Sequence, residues 1–201
     1  LPTSVTHSEE RIWRDYAGLS DFPHYDAYRV SVPSADMWSK YDRWDGKTIR
    51  WGAPLETIGD LTRSLRELNR PAPIAYWSQG ASDGWETYGG RKRTSPTPDE
   101  LRAQAYHALA QRITSLYWFN LSLKSLNKFP DLIEPITRVG REIRLFESFY
   151  LEGDAYLFER RITNGKPDWD FAVVAGPSGA VCFALDLDYV PDPKEKVFKF
   201  G

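Results

Sequence analysis

Apolar positions recur along this chain with two different periods, and the period changes near Gly153. Ile58, Leu61, Leu65 and Leu68 stand three and four residues apart, the spacing of a helix with one buried face, and Pro71 ends it. Ala72-Pro73-Ile74-Ala75-Tyr76-Trp77-Ser78-Gln79 then reads as a short buried strand. Thr97-Pro98-Asp99-Glu100 is a helix start: an N-cap threonine, proline in the first turn, and a glutamate three residues on to close a capping box. That helix turns Leu101, Ala105, Ala108 and Leu109 inward, and residues 114–121 form the next strand. A longer helix opens at Pro130 and Asp131, with Ile133, Ile136, Val139, Gly140, Ile143 and Phe146 on its apolar face.

Short apolar strands alternating with helices predict parallel strands joined by helical crossovers. An earlier strand end is expected over residues 21–30, although Pro23 suits the middle of a ladder poorly. Residues 31–57, with Trp38, Trp44 and Trp51, read as a long aromatic loop, and residues 80–93 as a Gly-rich one. Beyond Gly153 the period falls to two. Residues 155–162, 168–175 and 180–189 are β-rich runs separated by Asn164-Gly165 and by Gly176-Pro177-Ser178-Gly179, which predicts an antiparallel meander. The expected division is an α/β part over residues 1–153 and a small antiparallel β domain over 154–201.

Composition narrows the function classes. At 201 residues the chain holds one to two domains of about 150 residues each. Hydrophobic residues make up 41%, with 8 Trp, 11 Tyr and 10 Phe, enough apolar surface to offset the entropy of ordering. Lys and Arg number 26 against 28 Asp and Glu, a net charge of −2, which excludes nucleic-acid binding driven by bulk charge. No stretch approaches the ~18 apolar residues of a membrane span. Cys182 stands alone, so no internal disulfide forms, and the three scattered histidines lack metal-ligand spacing. No metal and no cofactor is implied.

The strand-helix succession, with Thr97-Pro98-Asp99-Glu100-Leu101-Arg102-Ala103 leading into Ser115-Leu116-Tyr117-Trp118-Phe119, resembles the last two units of glycoside hydrolase-like (β/α)8 barrels of the β-galactosidase superfamily. The resemblance spans residues 19–189 and implies a partial (β/α)8-type barrel, about its last three units, followed by a β domain. It places strands six, seven and eight at residues 19–28, 72–79 and 114–120. Retaining members of that family carry a nucleophilic glutamate at the end of strand seven. Gln79 stands there in this chain, and an amide cannot form a glycosyl-enzyme intermediate.

Barrel strands converge their C-terminal ends on a ligand. Asp21, His24, Tyr25 and Asp26 cluster near one strand end, Trp77 and Gln79 at the next, Trp118 and Asn120 at the third, with Trp85 and Tyr88 closing from the Gly-rich loop. Aromatic rings stack on sugar faces while carboxylates and amides bind hydroxyls, so this set fits a poly- or oligosaccharide. Asp21 and Asp26 are the candidate acid and base of a hydrolase; Glu56 and Glu86 are further loop carboxylates. The other reading stays open: the tryptophans fill the core, the two aspartates cap turns, and the chain is a non-catalytic carbohydrate-binding or protein-interaction module. Arg91-Lys92-Arg93 is either an anion contact or a solvated run. The carbohydrate reading favours a secreted or periplasmic location. A half-barrel leaves two sheet edges, which predicts a homo-oligomer or the remainder of a longer chain.

Overall fold

The computed structural model describes residues 1–8, 10–30, 40–42, 48–50, 54–83 and 91–201. Trp38, Trp44, Trp51, Trp85, Glu86 and Tyr88 lie outside the described residues.

Four short strands build a parallel sheet: β1 (Ser4–His7), β2 (Phe22–Asp26), β5 (Ala75–Gln79) and β6 (Ser115–Phe119), side by side in sequence order. Between β2 and β5 lie a small antiparallel hairpin, β3 (Lys40–Asp42) with β4 (Thr48–Arg50), and the helix α2 (Thr57–Asn69). The short helix α1 (Trp13–Tyr16) connects β1 to β2, and α3 (Pro98–Ala110) connects β5 to β6. After β6 come α4 (Leu123–Lys128) and the long α5 (Ile133–Glu152).

The sequence expectation of alternating strands and helices therefore holds, with one parallel strand more than the pattern announced and with the β3–β4 hairpin inside the stretch read as a loop. β1 is Ser-Val-Thr-His, too short and too polar to signal burial; it is an outer strand, and only His7 of the four is buried. Pro23 is accommodated inside β2 because the ladder to β5 begins one residue later, at His24 opposite Ala75, so no bond waits for the missing N–H.

Each helix forms for the reason its sequence gives. In α2, Ile58, Leu61 and Leu65 are buried along one stripe. In α3 the Thr97 side chain accepts from the Glu100 N–H (3.2 Å), and Glu100 accepts from the Thr97 N–H (2.8 Å). Glu100 also holds Arg91 at 2.5 Å, with both side chains at most 1% exposed, and accepts from the Phe198 N–H at 2.7 Å. Arg91 is thus neither an anion site nor a solvated charge. It donates to the Ser95 carbonyl as well (3.1 Å) and pins the loop before α3.

The meander follows as expected: β7 (Asp154–Thr163), β8 (Lys166–Gly176) and β9 (Gly179–Asp186), antiparallel in that order. Asn164 and Gly165, at φ 52° and 76°, make the two-residue turn that fits strand twist. A closing pair, β10 (Tyr189–Pro191) and β11 (Phe198–Phe200), returns the chain to the start of α3. At the α5–β7 junction, Gly153 is required: a Cβ there would sit 2.4 Å from the Phe149 carbonyl oxygen.

Helix α3 packs between the parallel sheet and the meander, against β5 on one side and β8 on the other, and α5 packs on α3, β8 and β9. One hydrophobic cluster runs through all three layers, from Tyr25 and Tyr76 through Leu61 and Leu109 to Ala172, Val174 and Phe183. Arg160 on β7 ties the meander to α2 as well, with 2.7 and 2.8 Å bonds to Asp170 and one of 3.0 Å to Asp60.

Candidate functional site

Side chains alternate along each parallel strand, and register decides which of them share a face. Tyr25 pairs with Tyr76, and Tyr76 with Leu116; this row faces the helices. Tyr25 donates to the Ile58 carbonyl of α2 (3.0 Å), and Tyr76 to the Ala27 carbonyl (2.9 Å), with Gln104 of α3 at 3.4 Å. Both tyrosines are fully buried and their rings stack at 4.7 Å. Burial pushes both phenols well above their ordinary range. Trp118 points the same way, into a cluster with Leu101, Leu126, Leu132 and Phe129. Tyr25 and Trp118, read from sequence as ligand contacts, are therefore packing residues, placed there by one step of strand alternation.

The opposite face carries His24, Asp26, Trp77, Gln79, Tyr117 and Phe119. Trp77 and Tyr117 lie 4.6 Å apart between ring centroids, Trp77 meets Phe119 edge-on at 6.4 Å, and Tyr28 packs on Phe119 at 5.2 Å. Trp77 and Tyr117 are half-buried and Phe119 is 38% exposed. His24 is built into this surface rather than aimed at a carboxylate. Its Nδ1 accepts from Trp77 Nε1 (3.0 Å), which leaves the proton on Nε2, bonded to the Ser4 hydroxyl. Desolvation holds its pKa below the usual histidine value, consistent with a neutral ring.

Polar groups gather at the C-terminal end of the sheet. Asp26 ends β2; its Oδ1 is buried with no hydrogen-bond partner among the described residues, while the Tyr28 hydroxyl bonds the carboxylate. Gln79 ends β5, fully buried, its backbone bracketed by the Gln104 amide at 3.2 and 3.3 Å. Asn120, just past β6 at φ 61°, donates to the Ser82 hydroxyl (2.9 Å) and links the two loops.

Asp21 is not part of this gathering. It precedes β2, at the N-terminal end of the parallel sheet, where its carboxylate accepts from the Thr3 N–H (2.7 Å) and hydroxyl (3.0 Å). Those bonds hold its pKa below the ordinary value and fasten the chain ahead of β1 to that ahead of β2. A strand rise of ~3.3 Å per residue puts it roughly 16 Å along β2 from Asp26. The expected convergence of Asp21 with Gln79 and Asn120 does not occur, because the strand runs away from Asp21 rather than toward it.

Tyr117, Phe119, Tyr28 and Ser82 join the site without having been singled out. The signal for the first two was present: if Trp77 and Gln79 face a ligand, their register partners Tyr117 and Phe119 face it too, and Trp118 cannot. Among the described residues no group of three or more His, Cys, Asp or Glu could hold a metal ion. No helix among them is long and apolar enough to cross a membrane. Comparison of the chain with protein-family models, curated proteins and solved structures finds no match.

Proposed function

We propose that the chain binds an oligo- or polysaccharide along the face of its parallel sheet opposite α2 and α3, and that this sheet is four neighbouring staves of a (β/α)8-type barrel of glycoside-hydrolase likeness. The barrel reading is supported by four parallel strands in sequence order with α2 and α3 on one face, the singly wound arrangement that such a barrel repeats. The observation that carries the ligand reading is the strip formed by Trp77, Tyr117 and Phe119, part-exposed rings leading to Asp26 and Asn120 at the strand ends. Sugar C–H faces stack on such rings, and the amide and carboxylate take hydroxyls.

Binding without turnover is the better-supported form. Hydrolysis by two carboxylates needs them ~5–9.5 Å apart. Past the strand ends, Asp83 is engaged by Lys124 (3.5 Å) and Lys128 (3.8 Å) and Glu100 by Arg91 (2.5 Å), which leaves Asp26 without an evident carboxylate partner among the described residues. Gln79, where a retaining barrel carries its nucleophile, points the same way.

The test is a titration of soluble oligosaccharides into the full chain, read by tryptophan fluorescence and calorimetry, beside a reducing-end assay. Saturable binding of a glycan, weakened about tenfold or more by Trp77→Ala for a loss of ~1.4 kcal/mol, with no release of reducing ends, is the expected result. Absence of glycan binding, or binding indifferent to Trp77→Ala, overturns the proposal. Turnover abolished by Asp26→Asn would instead make the chain a hydrolase.

A further inference from the structure

Beside the N-terminus of α2, the meander and the β10–β11 pair line an open cavity of about 770 Å³. Its walls include Pro54, Pro167, Leu187 and the rings of Trp169, Tyr189 and Phe198. Glu56 lines it although only 9% exposed. Its carboxylate accepts from the Tyr189 hydroxyl, at Oε2, and from its own backbone N–H. Asp186 and Asp188 stand exposed at the mouth with no ion-pair partner among the described residues.

Charge sorts the possible occupants. Asp168 also lines the cavity but is engaged by Arg161 at 3.0 Å, and among the described residues Lys166 is the one cationic side chain in the lining. An anion therefore meets net negative charge. A metal ion finds no group of three ligands among the described residues. What remains complementary is a cationic head on an aliphatic stem: the stem lies against proline and ring surfaces, and the head meets Glu56 and an aromatic face together.

We propose that this cavity binds an alkylammonium group, with Glu56 as its counter-ion and Trp169 and Tyr189 as the walls around its stem. The same chemistry is offered by a free amine and by the lysine side chain of a peptide. Four groups act on the Glu56 carboxyl: Asp60 on α2, Arg160 on β7, Asp170 on β8 and Tyr189 on β10. Burial raises its pKa to about 7, with Asp170 and Asp60 adding to the rise and Arg160 opposing it. An arriving ammonium favours the ionised carboxylate, so binding expels a proton.

Calorimetric titration of the full chain with cadaverine and, separately, with a short lysine-containing peptide tests this at constant ionic strength. Saturable one-to-one binding is expected, about tenfold weaker at pH 6 than at pH 8 because a carboxyl titrating near 7 is mostly protonated at the lower value. Glu56→Gln, which preserves shape and can keep the Tyr189 bond, should cost about tenfold or more at pH 8 and remove the pH dependence. Trp169→Ala, a change outside the central core, gives a second readout through weaker binding with the pH dependence intact. Tighter binding of the amine or of the peptide identifies the source and supports the proposal either way. Failure of both ligands to saturate, affinity indifferent to Glu56→Gln, or displacement by a neutral oligosaccharide overturns it. Because this site is walled by Glu56 and the meander, Trp77→Ala leaves it untouched, and its failure is separable from that of the carbohydrate reading.

Discussion

Tyr76 and Trp77 are adjacent in sequence, both aromatic and both in β5, yet they belong to different environments. Tyr76 is fully buried against α3, its hydroxyl committed to backbone and side-chain partners. Trp77 is half-buried on the other side, bonded to His24 and otherwise touching rings. The helix-covered side of the sheet is where the fully buried rings and their committed hydroxyls reside. The opposite side holds rings whose packing is incomplete, which is what a ligand surface requires. Composition cannot make this distinction; strand register does.

Breaking the covered side should be costly. Tyr76→Ala removes a fully buried ring from between β5 and α3 and is expected to destabilise the fold by about 3–5 kcal/mol, measured by urea unfolding. Tyr76→Phe keeps the ring and loses only the hydroxyl bonds, about 1 kcal/mol. Equal costs for Tyr76→Ala and Trp77→Ala would erase the contrast between the two faces.

The covered side also contains charge that gains from being removed. Glu56 has a folded-state pKa raised from 4.5 to about 7, so protonation favours the fold. Its stabilising contribution is complete below pH 4.5 and is lost as pH rises through 7. Glu56→Gln should therefore leave stability nearly unchanged at pH 4.5 and raise it by up to about 3 kcal/mol at pH 8, the equivalent of its upward shift. Chemical denaturation of both proteins at the two pH values checks the sign.

His107 works in the opposite sense. Fully buried in α3 beside Arg160, it has its pKa lowered from 6.5 to about 3, chiefly by desolvation. The unfolded chain takes up its proton first, so stability falls as pH drops below 6.5, by up to about 1.4 kcal/mol per pH unit for one proton. His107→Gln should flatten that limb of the stability profile, whatever the neighbouring carboxylates add to both proteins.

Much of this architecture was legible before any coordinates. The capping box at Thr97 and Glu100, the stripe of α2 and the Asn164-Gly165 turn are local signals, and each forms as written. What escaped reading depends on partners distant in sequence. β1 is polar and gains its place only by pairing with β2; Arg91 looks like part of a solvated charge run until the Glu100 carboxylate meets it in the interior. Asp21 shows the same limit at the site. Sequence put it beside a strand, but only strand direction assigns it to one end of the sheet.

The smallest expected change in stability is the one that separates the faces most clearly. Trp77 lies half outside the packed interior, so Trp77→Ala forfeits about half the burial of a large ring, and its neighbours Tyr117 and Phe119 can relax toward solvent. A cost near 1 kcal/mol is expected, against about 3–5 for a buried aromatic. The His24–Trp77 bond breaks as well, but His24 retains its contacts with Ser4 and Thr6, so no buried polar group is stranded. If the rings on this face exist to meet a sugar, the same substitution removes glycan binding while the melting curve barely moves. If they are ordinary packing, Trp77→Ala lowers the melting temperature as Tyr76→Ala does. Thermal melts and glycan titrations on the same two variants decide between these outcomes.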